Sequence, residues 1–400
     1  MNPNRLAACL FVLIMIFIVS TLDFTLNTEL LEISFRSRWP NITSATSTST
    51  ATPALLTPTT KEAAATTTKQ TRPKTTYHLL TYNIFIRPPG IKTNLNDYQQ
   101  ERLDQFIEEK LPHFDLVCLQ EMFAFGSHRR QYLVKRARAL GFHHHVASPR
   151  PYRGFGVDGG LVCLSRLPIV QKETITYTQA CDSDKIASKG GLYSKILVSG
   201  PSGKHLHVFS THLQASYDTR SNDTKIVAKV RNSIEVRKSQ IIELCNFILG
   251  KTANNNSFNG DTDEIVIMGD MNIDARHDFS EYAQLISCFK RVPLYEFYDL
   301  HLVGEYRQQL HPATVGVIEM RNGVAVPMEV ALTAPKENNA DKCLDYIFIL
   351  RKRQGVSPLR WKKAVVEPFY VLNKPYSQLS DHCGVAANFS LALYNKAARS

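Results

Sequence analysis

The chain has 400 residues, 44% hydrophobic and 21% charged, the make-up of an ordinary globular protein with room for one large domain and an accessory segment. Its formal net charge of +11 favours anionic partners such as nucleic acid, phospholipid headgroups or acidic surfaces, without choosing among them. Eight cysteines without a CxxC pair or zinc-ligand spacing exclude metal binding through sulfur.

In chain order, Arg5 precedes an apolar run, LAACLFVLIMIFIVS from Leu6 to Ser20. It is expected to be a targeting segment (residues 1–24): a cleaved signal peptide, or an anchor extended through Phe24. No small-x-small cleavage site follows, so the anchor is preferred. Arg5 then predicts a type II membrane protein with its catalytic domain extracellular or lumenal, or a secreted protein if the segment is cleaved. Residues 25–76 are rich in Thr, Ser, Ala and Pro from Asn41 onward and are expected to form a disordered stalk, a candidate for O-glycosylation. N-glycan sequons occur at Asn41, Asn222, Asn255 and Asn388.

From Tyr77 the texture changes. HLLTYNIF, DYQQERLDQFIEEKLPHF and DLVCLQE read as strand, amphipathic helix, strand. Further strands are expected at GLVCLSRLPIV, LYSKILVSG, HLHVFSTHL, EIVIMGDMN, CLDYIFIL and GVAANFSLAL, with a helix over Ile226–Leu249. Many strands with few helices predict two packed sheets covered by helices, a domain over residues 77–393 and a tail over 394–400. Cys181, Cys288, Cys343 and Cys383 are disulfide candidates, whereas Cys118 and Cys163 look like buried strand thiols. The basic spots at Arg351, Lys352 and Arg353, and at Arg360, Lys362 and Lys363, read as solvated faces. His143, His144 and His145 read as a surface stretch, and Arg321-Asn322-Gly323 as the turn of a surface hairpin.

Polar residues that end apolar strands carry the chemistry, because a buried carboxylate, amide or imidazole is costly without a partner. Six such endings occur: Asn83, Glu121, His212, Asp270 with Asn272, Asp345, and Asp381 with His382. Together they suit metal-assisted phosphoryl hydrolysis. A hard dication takes oxygen ligands and keeps several waters, which assigns Glu121, Asn83 and Asp381 to one Mg²⁺ ion. His382 is the expected base for the attacking water, oriented by Asp345. His212 and Asn272 would donate to phosphate oxygens, and Asp270 would hold water or assist proton transfer.

The ordered set TYN, LQE, THLQ, GDMN, LDY and SDH, from Thr81 to Phe389, resembles the endonuclease/exonuclease/phosphatase superfamily. That resemblance implies a deoxyribonuclease-like, four-layered α/β sandwich, two mixed β-sheets flanked by helices. It also implies that Glu121 ligates the metal, that Asp270 and Asn272 line the phosphate site, and that His212 and His382 flank the scissile group. Some nucleases of the family carry an acidic residue where this chain has Phe85, which weakens a nuclease reading and a second metal. VDGGLVCLSRLPIV, ASKGGLYSKI and THLQASY resemble the neutral sphingomyelinase branch. Asp184 and Lys189 are spaced like a regulatory pair there, and Lys189 is expected to touch substrate. The 5-phosphatase signatures are absent. The resemblance implies hydrolysis of membrane sphingomyelin to ceramide and phosphocholine, with an anionic lipid surface as a further partner and nucleic acid disfavoured. A deoxyribonuclease-like nuclease and a non-catalytic lipid-binding module are the alternatives. The oligomeric state is left open.

Overall fold

Strands apolar on both faces belong in a layer covered on both sides, and the chain builds two of them. The structure is a computed structural model. It describes residues 76–391 except 95, 151–155, 200–202, 217–222, 253–257, 293–294, 304–309, 323, 334–340 and 354–358. The elements are β1 (Thr76–Ile86), α1 (Gln99–Gln105), β2 (Leu116–Met122), α2 (Arg129–Ala139), β3 (His144–Ala147), β4 (Val162–Ser165), β5 (Ile169–Thr176), β6 (Gly190–Ser199), β7 (Lys204–His212), α3 (Thr224–Thr252), β8 (Glu264–Asp270), α4 (Phe279–Lys290), β9 (Tyr295–Asp299), β10 (Ile318–Arg321), β11 (Val324–Pro327), β12 (Asp345–Lys352), β13 (Leu359–Trp361), β14 (Val365–Glu367) and β15 (Gly384–Leu391).

One sheet runs β13-β15-β1-β2-β4-β3 with β14 beside β15, and the other runs β5-β6-β7-β8-β12-β9. Each holds one parallel pair, β1 with β2 and β7 with β8. A parallel pair needs a long crossover, and α1 and α3 lie in those two connections. Leu79, Cys118 and Val385 of the first sheet meet Val208, Val266 and Ile347 of the second in one buried layer. On the outer faces, Tyr82 packs against Phe106 after α1, and Phe209 against Phe247 of α3. Helices, sheet, sheet, helices is the four-layered sandwich expected from the sequence.

Several local expectations change. The helix expected before Phe114 ends its regular turns at Gln105, continues as a π turn over Phe106–Lys110 and closes as a 3-10 turn over Leu111–His113. Pro112 has no N–H to donate to Glu108, so the α ladder cannot run through it. The candidate disulfide residues Cys181, Cys288, Cys343 and Cys383 are all free thiols. Cys118 and Cys163 are buried strand thiols, as expected, opposite one another across β2 and β4. β10 and β11 form the hairpin foreseen at Asn322, which takes a positive φ of 51°.

The expected type II membrane placement is withdrawn, because among the described residues no helix is long and apolar enough to cross a membrane. The apolar run at Leu6–Ser20, the Thr/Ser-rich segment, the sequons at Asn41, Asn222 and Asn255 and the tail at 394–400 lie outside the described residues. Asn388 lies in β15.

Asp263 tethers the start of β8. Its carboxylate accepts from the Asn259 and His205 backbone and from Thr262 Oγ1, and it lies 3.3 Å from His207 Nε2. Burial would raise Asp263, but these donors outweigh it and hold its carboxyl below the usual range. Burial also depresses His207, whose Nδ1 sits 2.9 Å from the Tyr193 hydroxyl. Both folded pKa values lie below the unfolded ones, so each group stabilises at higher pH. The His207 part declines as pH falls below about 6.5, and the Asp263 part below about 4. Asp263→Asn is expected to cost roughly 1–3 kcal/mol at neutral pH and to flatten the acid limb in urea unfolding. Equal acid limbs for both proteins would refute this assignment.

Candidate active site

The parallel pairs deliver their carboxyl ends to one edge, where the antiparallel strands β12 and β15 begin, and clefts form at such strand ends. Asn83, Glu121, His212 and Asp270 end or nearly end β1, β2, β7 and β8; Asp345 opens β12, and Asp381 and His382 precede β15. All six sequence-predicted strand endings therefore meet. Glu121, His212, Asp270, Asn272, Asp381 and His382 border a cleft of about 470 Å³ with Phe85, Phe123, Val157 and Ile186 as its apolar wall, while Asn83 and Asp345 are fully buried.

Backbone strain gathers at this edge. Phe85, Glu121 and Asn272 have positive φ of 56°, 55° and 51°, a conformation that side chains with a Cβ seldom adopt unless the surroundings impose it. Just before Asp270, Gly269 has φ 146°, and a Cβ there would stand 2.0 Å from the Thr211 carbonyl oxygen. Only glycine lets β8 lie this close to β7 at the site.

Three hydrogen-bonded groups can be traced. The first joins the two sheets through Asn83, whose Nδ2 donates to Glu121 Oε1 at 3.2 Å and Asp270 Oδ2 at 3.1 Å. Its Oδ1 accepts from Phe85 N, so Asn83 bridges two carboxylates here instead of turning its oxygen toward a metal. Glu121 and Asp381 are both held above the usual carboxylate range, first by burial; for Glu121 the nearby Asp381 charge adds to it. Two such carboxylates fit a hard dication, which would relieve both effects.

The second group is Thr314–Asp345–His382. Asp345 Oδ2 accepts from Thr314 Oγ1 at 2.7 Å and lies 2.9 Å from His382 Nδ1. Burial opposes charge on His382, but Asp345, Asp270 and Asp381 outweigh it and hold the imidazole well above its ordinary value. His382 Nε2, 3.8 Å from Asp270 Oδ2, is the ring nitrogen left for chemistry. Asp270, Asp345 and His382 also lie close enough together to hold a metal ion. The short His382–Asp345 bond already uses their facing atoms, which suits proton transfer better than ligation.

The third group surrounds Lys189. Its ammonium donates to the Leu213 carbonyl at 2.7 Å, pairs with Asp184 at 2.9 Å and lies 3.2 Å from His212 Nε2. The Asp184–Lys189 spacing seen in the sequence is thus a buried ion pair that places His212. Burial, then Lys189 and His382, keep the His212 pKa well below its ordinary value, so this ring is neutral. Its Nδ1 is buried without a hydrogen-bond partner among the described residues, as is Asp345 Oδ1. Asn272 donates from its backbone to Asp270 Oδ1 and from its side chain to the Leu213 carbonyl. Asp270 is pushed up to about 6, by burial first and then by Asp345.

Two supporting residues were not anticipated. Arg102, on α1, is fully buried and donates to the carbonyls of Asp97, Ile84, Phe85 and Leu379. Thr314 sits in a loop whose backbone bonds to Cys383 N. An arginine at a core position of an amphipathic helix was the available signal for the first; a lone loop threonine gives none.

A sphingomyelinase of Dictyostelium discoideum is 27% identical over 457 aligned positions, covering 78% of this chain and 98% of that protein. The crystal structure of SmcL superposes with a TM-score of 0.57 at 22% identity, over 79% of this chain and 99% of that one. A doubly substituted Staphylococcus aureus beta toxin with bound magnesium ions gives 0.53 at 20%, over 78% and 99%. The match to the Endonuclease/Exonuclease/phosphatase family runs over residues 80–382, from β1 through His382, and the chain belongs to that family.

Proposed function

We propose that this protein is a magnesium-dependent phosphodiesterase that hydrolyses sphingomyelin to ceramide and phosphocholine. The observation that carries the reading is the paired arrangement at the strand ends: a His382–Asp345 couple at 2.9 Å facing, across Asn83 and Asp270, the raised carboxylates Glu121 and Asp381. The Dictyostelium relative, named a sphingomyelinase and spanned almost in full, supports the substrate. The magnesium ions bound by the beta toxin support the metal.

Glu121 and Asp381 would hold one Mg²⁺, which supplies Lewis-acid polarisation of the phosphoryl group. Asn83 fixes the Glu121 carboxylate. Asp345 orients His382 and stabilises its charged form, so a proton taken from water at Nε2 is retained while the water oxygen bonds to phosphorus. Asp381 is the least of the three charges that raise His382, after Asp345 and Asp270, and a cation held by Asp381 would offset that share. Neutral His212, steadied by Lys189, and Asn272 donate toward phosphate oxygens as charge builds there. Asp270, raised to about 6 by burial and then Asp345 and 3.4 Å from His212, is our candidate for passing a proton toward the departing ceramide alkoxide.

The test uses the full chain on sphingomyelin liposomes, with magnesium or chelator, and plasmid DNA in parallel. Phosphocholine release that chelation abolishes is expected, with Glu121→Gln lowering it about 10²-fold or more. DNA cleavage without phosphocholine release would leave the family standing and overturn the substrate.

A further inference from the structure

Outside the catalytic cleft, one helix carries charge that no acid on it balances. α2 reads RRQYLVKRARA, five basic residues and no acidic one. Arg130 is paired with Asp158 at 2.8 Å and Arg136 with Glu108 at 3.1 Å. Lys135 and Arg138 are exposed, and at Arg129 both Nε and Nη1 are buried without a hydrogen-bond partner among the described residues.

Arg130, Val134, Lys135 and Arg138 fall on one side of the helix, spaced by four, one and three residues. With Gln131, and with His145 and Ala147 of β3, they line a groove of about 390 Å³ with no acidic residue in its lining among the described residues. β3 ends its sheet. His145 is depressed by burial first, and then by Lys172, Arg138 and Arg130, so three basic side chains act on this imidazole. Val134 and Ala147 supply an apolar floor between them. Such a pocket disfavours any further cation and rewards an anion with several acceptor oxygens.

We propose that the groove between α2 and β3 binds the phosphate group of an anionic lipid headgroup. Ala147 pairs with Val162, which in turn pairs with Leu119 of β2, so this end of β3 lies toward the end of β2 that carries Glu121. The groove therefore runs down the flank of the catalytic edge. Arg130 also ties it to the cleft wall, because Asp158 accepts from the backbone of Ala124 and Gly160, next to Phe123 and Val157. A bilayer presented to the cleft places neighbouring headgroups along this flank. That lipid source rests on the proposed substrate, whereas the phosphate chemistry does not.

The test measures sedimentation of the full chain with vesicles that contain no sphingomyelin, so it is independent of turnover. Phosphatidylcholine vesicles are compared with phosphatidylcholine–phosphatidylserine vesicles, and inorganic phosphate and duplex DNA are titrated separately. Reversing Lys135→Glu with Arg138→Glu is expected to weaken binding to the anionic vesicles at least about tenfold with an unchanged melting temperature. Reversing Arg360→Glu with Lys362→Glu, equal in charge but elsewhere, should have little effect. Lys135→Gln with Arg138→Gln serves if the first variant folds poorly. Equal losses from both pairs would mean diffuse net-charge binding and overturn the proposal. So would DNA or inorganic phosphate bound through Lys135 and Arg138 while vesicles are ignored, since the source would then not be a lipid.

Discussion

Replacing His382 with alanine is expected to lower the proposed hydrolysis by about 10²–10⁴-fold, the contribution of a positioned general base, with much less effect on substrate affinity. Asp345→Ala should cost a comparable factor, because Asp345 Oδ2 holds His382 Nδ1 at 2.9 Å and its loss frees the ring to turn. The double variant should be little worse than His382→Ala alone, as groups acting as one unit are strongly non-additive. Multiplicative losses in kcat would show that Asp345 acts elsewhere, for instance as a ligand within the Asp270–Asp345–His382 cluster. His382→Ala at full activity would remove His382 from the mechanism.

The second large effect is expected at a residue that touches no reacting atom. Arg102 is completely buried and sends its guanidinium to carbonyls on three segments, Ile84 and Phe85 at the end of β1, Asp97 before α1, and Leu379 just before Asp381. Arg102→Ala strands these carbonyls in the core and should destabilise the fold by about 3–5 kcal/mol, as expected when several buried acceptors lose one charged donor. Arg102→Lys should recover little, because one ammonium cannot span the separate acceptors a planar fork reaches. Urea unfolding of both variants measures this. A loss under about 1 kcal/mol for Arg102→Ala would mean that the strand end and the Ser380–His382 loop hold their places without the clamp.

Much of this was legible in the sequence because the strands announce themselves. Runs such as LLTY, LVCL and IVIM are apolar on both faces, so a polar residue at their ends marks the sheet edge, and Asn83, Glu121, Asp270, Asp345 and His382 were found that way. What the sequence could not give is direction. It placed Asn83 among the metal ligands, yet the amide nitrogen, not the oxygen, faces Glu121 and Asp270. It placed Lys189 on substrate; Lys189 does line the cleft, with its ammonium engaged by Asp184, Leu213 and His212, which the sequence did not foretell. Helix α2 was not foreseen, because only Leu133 and Ala137 are buried on it and such a sparse apolar stripe has little periodicity. Thr314 was invisible for a different reason: its role depends on a loop reaching Asp345 from 31 residues away.

The candidate catalytic groups are divided between two sheets that share a hydrocarbon layer and, at the site itself, the Asn83–Asp270 and His382–Asp345 contacts. Glu121, Asp381 and His382 belong to the β1–β2–β15 side, and His212, Asp270 and Asp345 to the β7–β8–β12 side. The spacing across the cleft therefore depends also on the thickness of the packing between Leu79, Cys118, Val208 and Val266, none of which lines the cleft. That layer works as a gauge block for the chemistry. Trimming it by a methyl group is expected to shift His382 and Glu121 against His212 and Asp270 before the fold gives way, so the demands of the proposed reaction would reach into residues that solubility alone would leave free to drift.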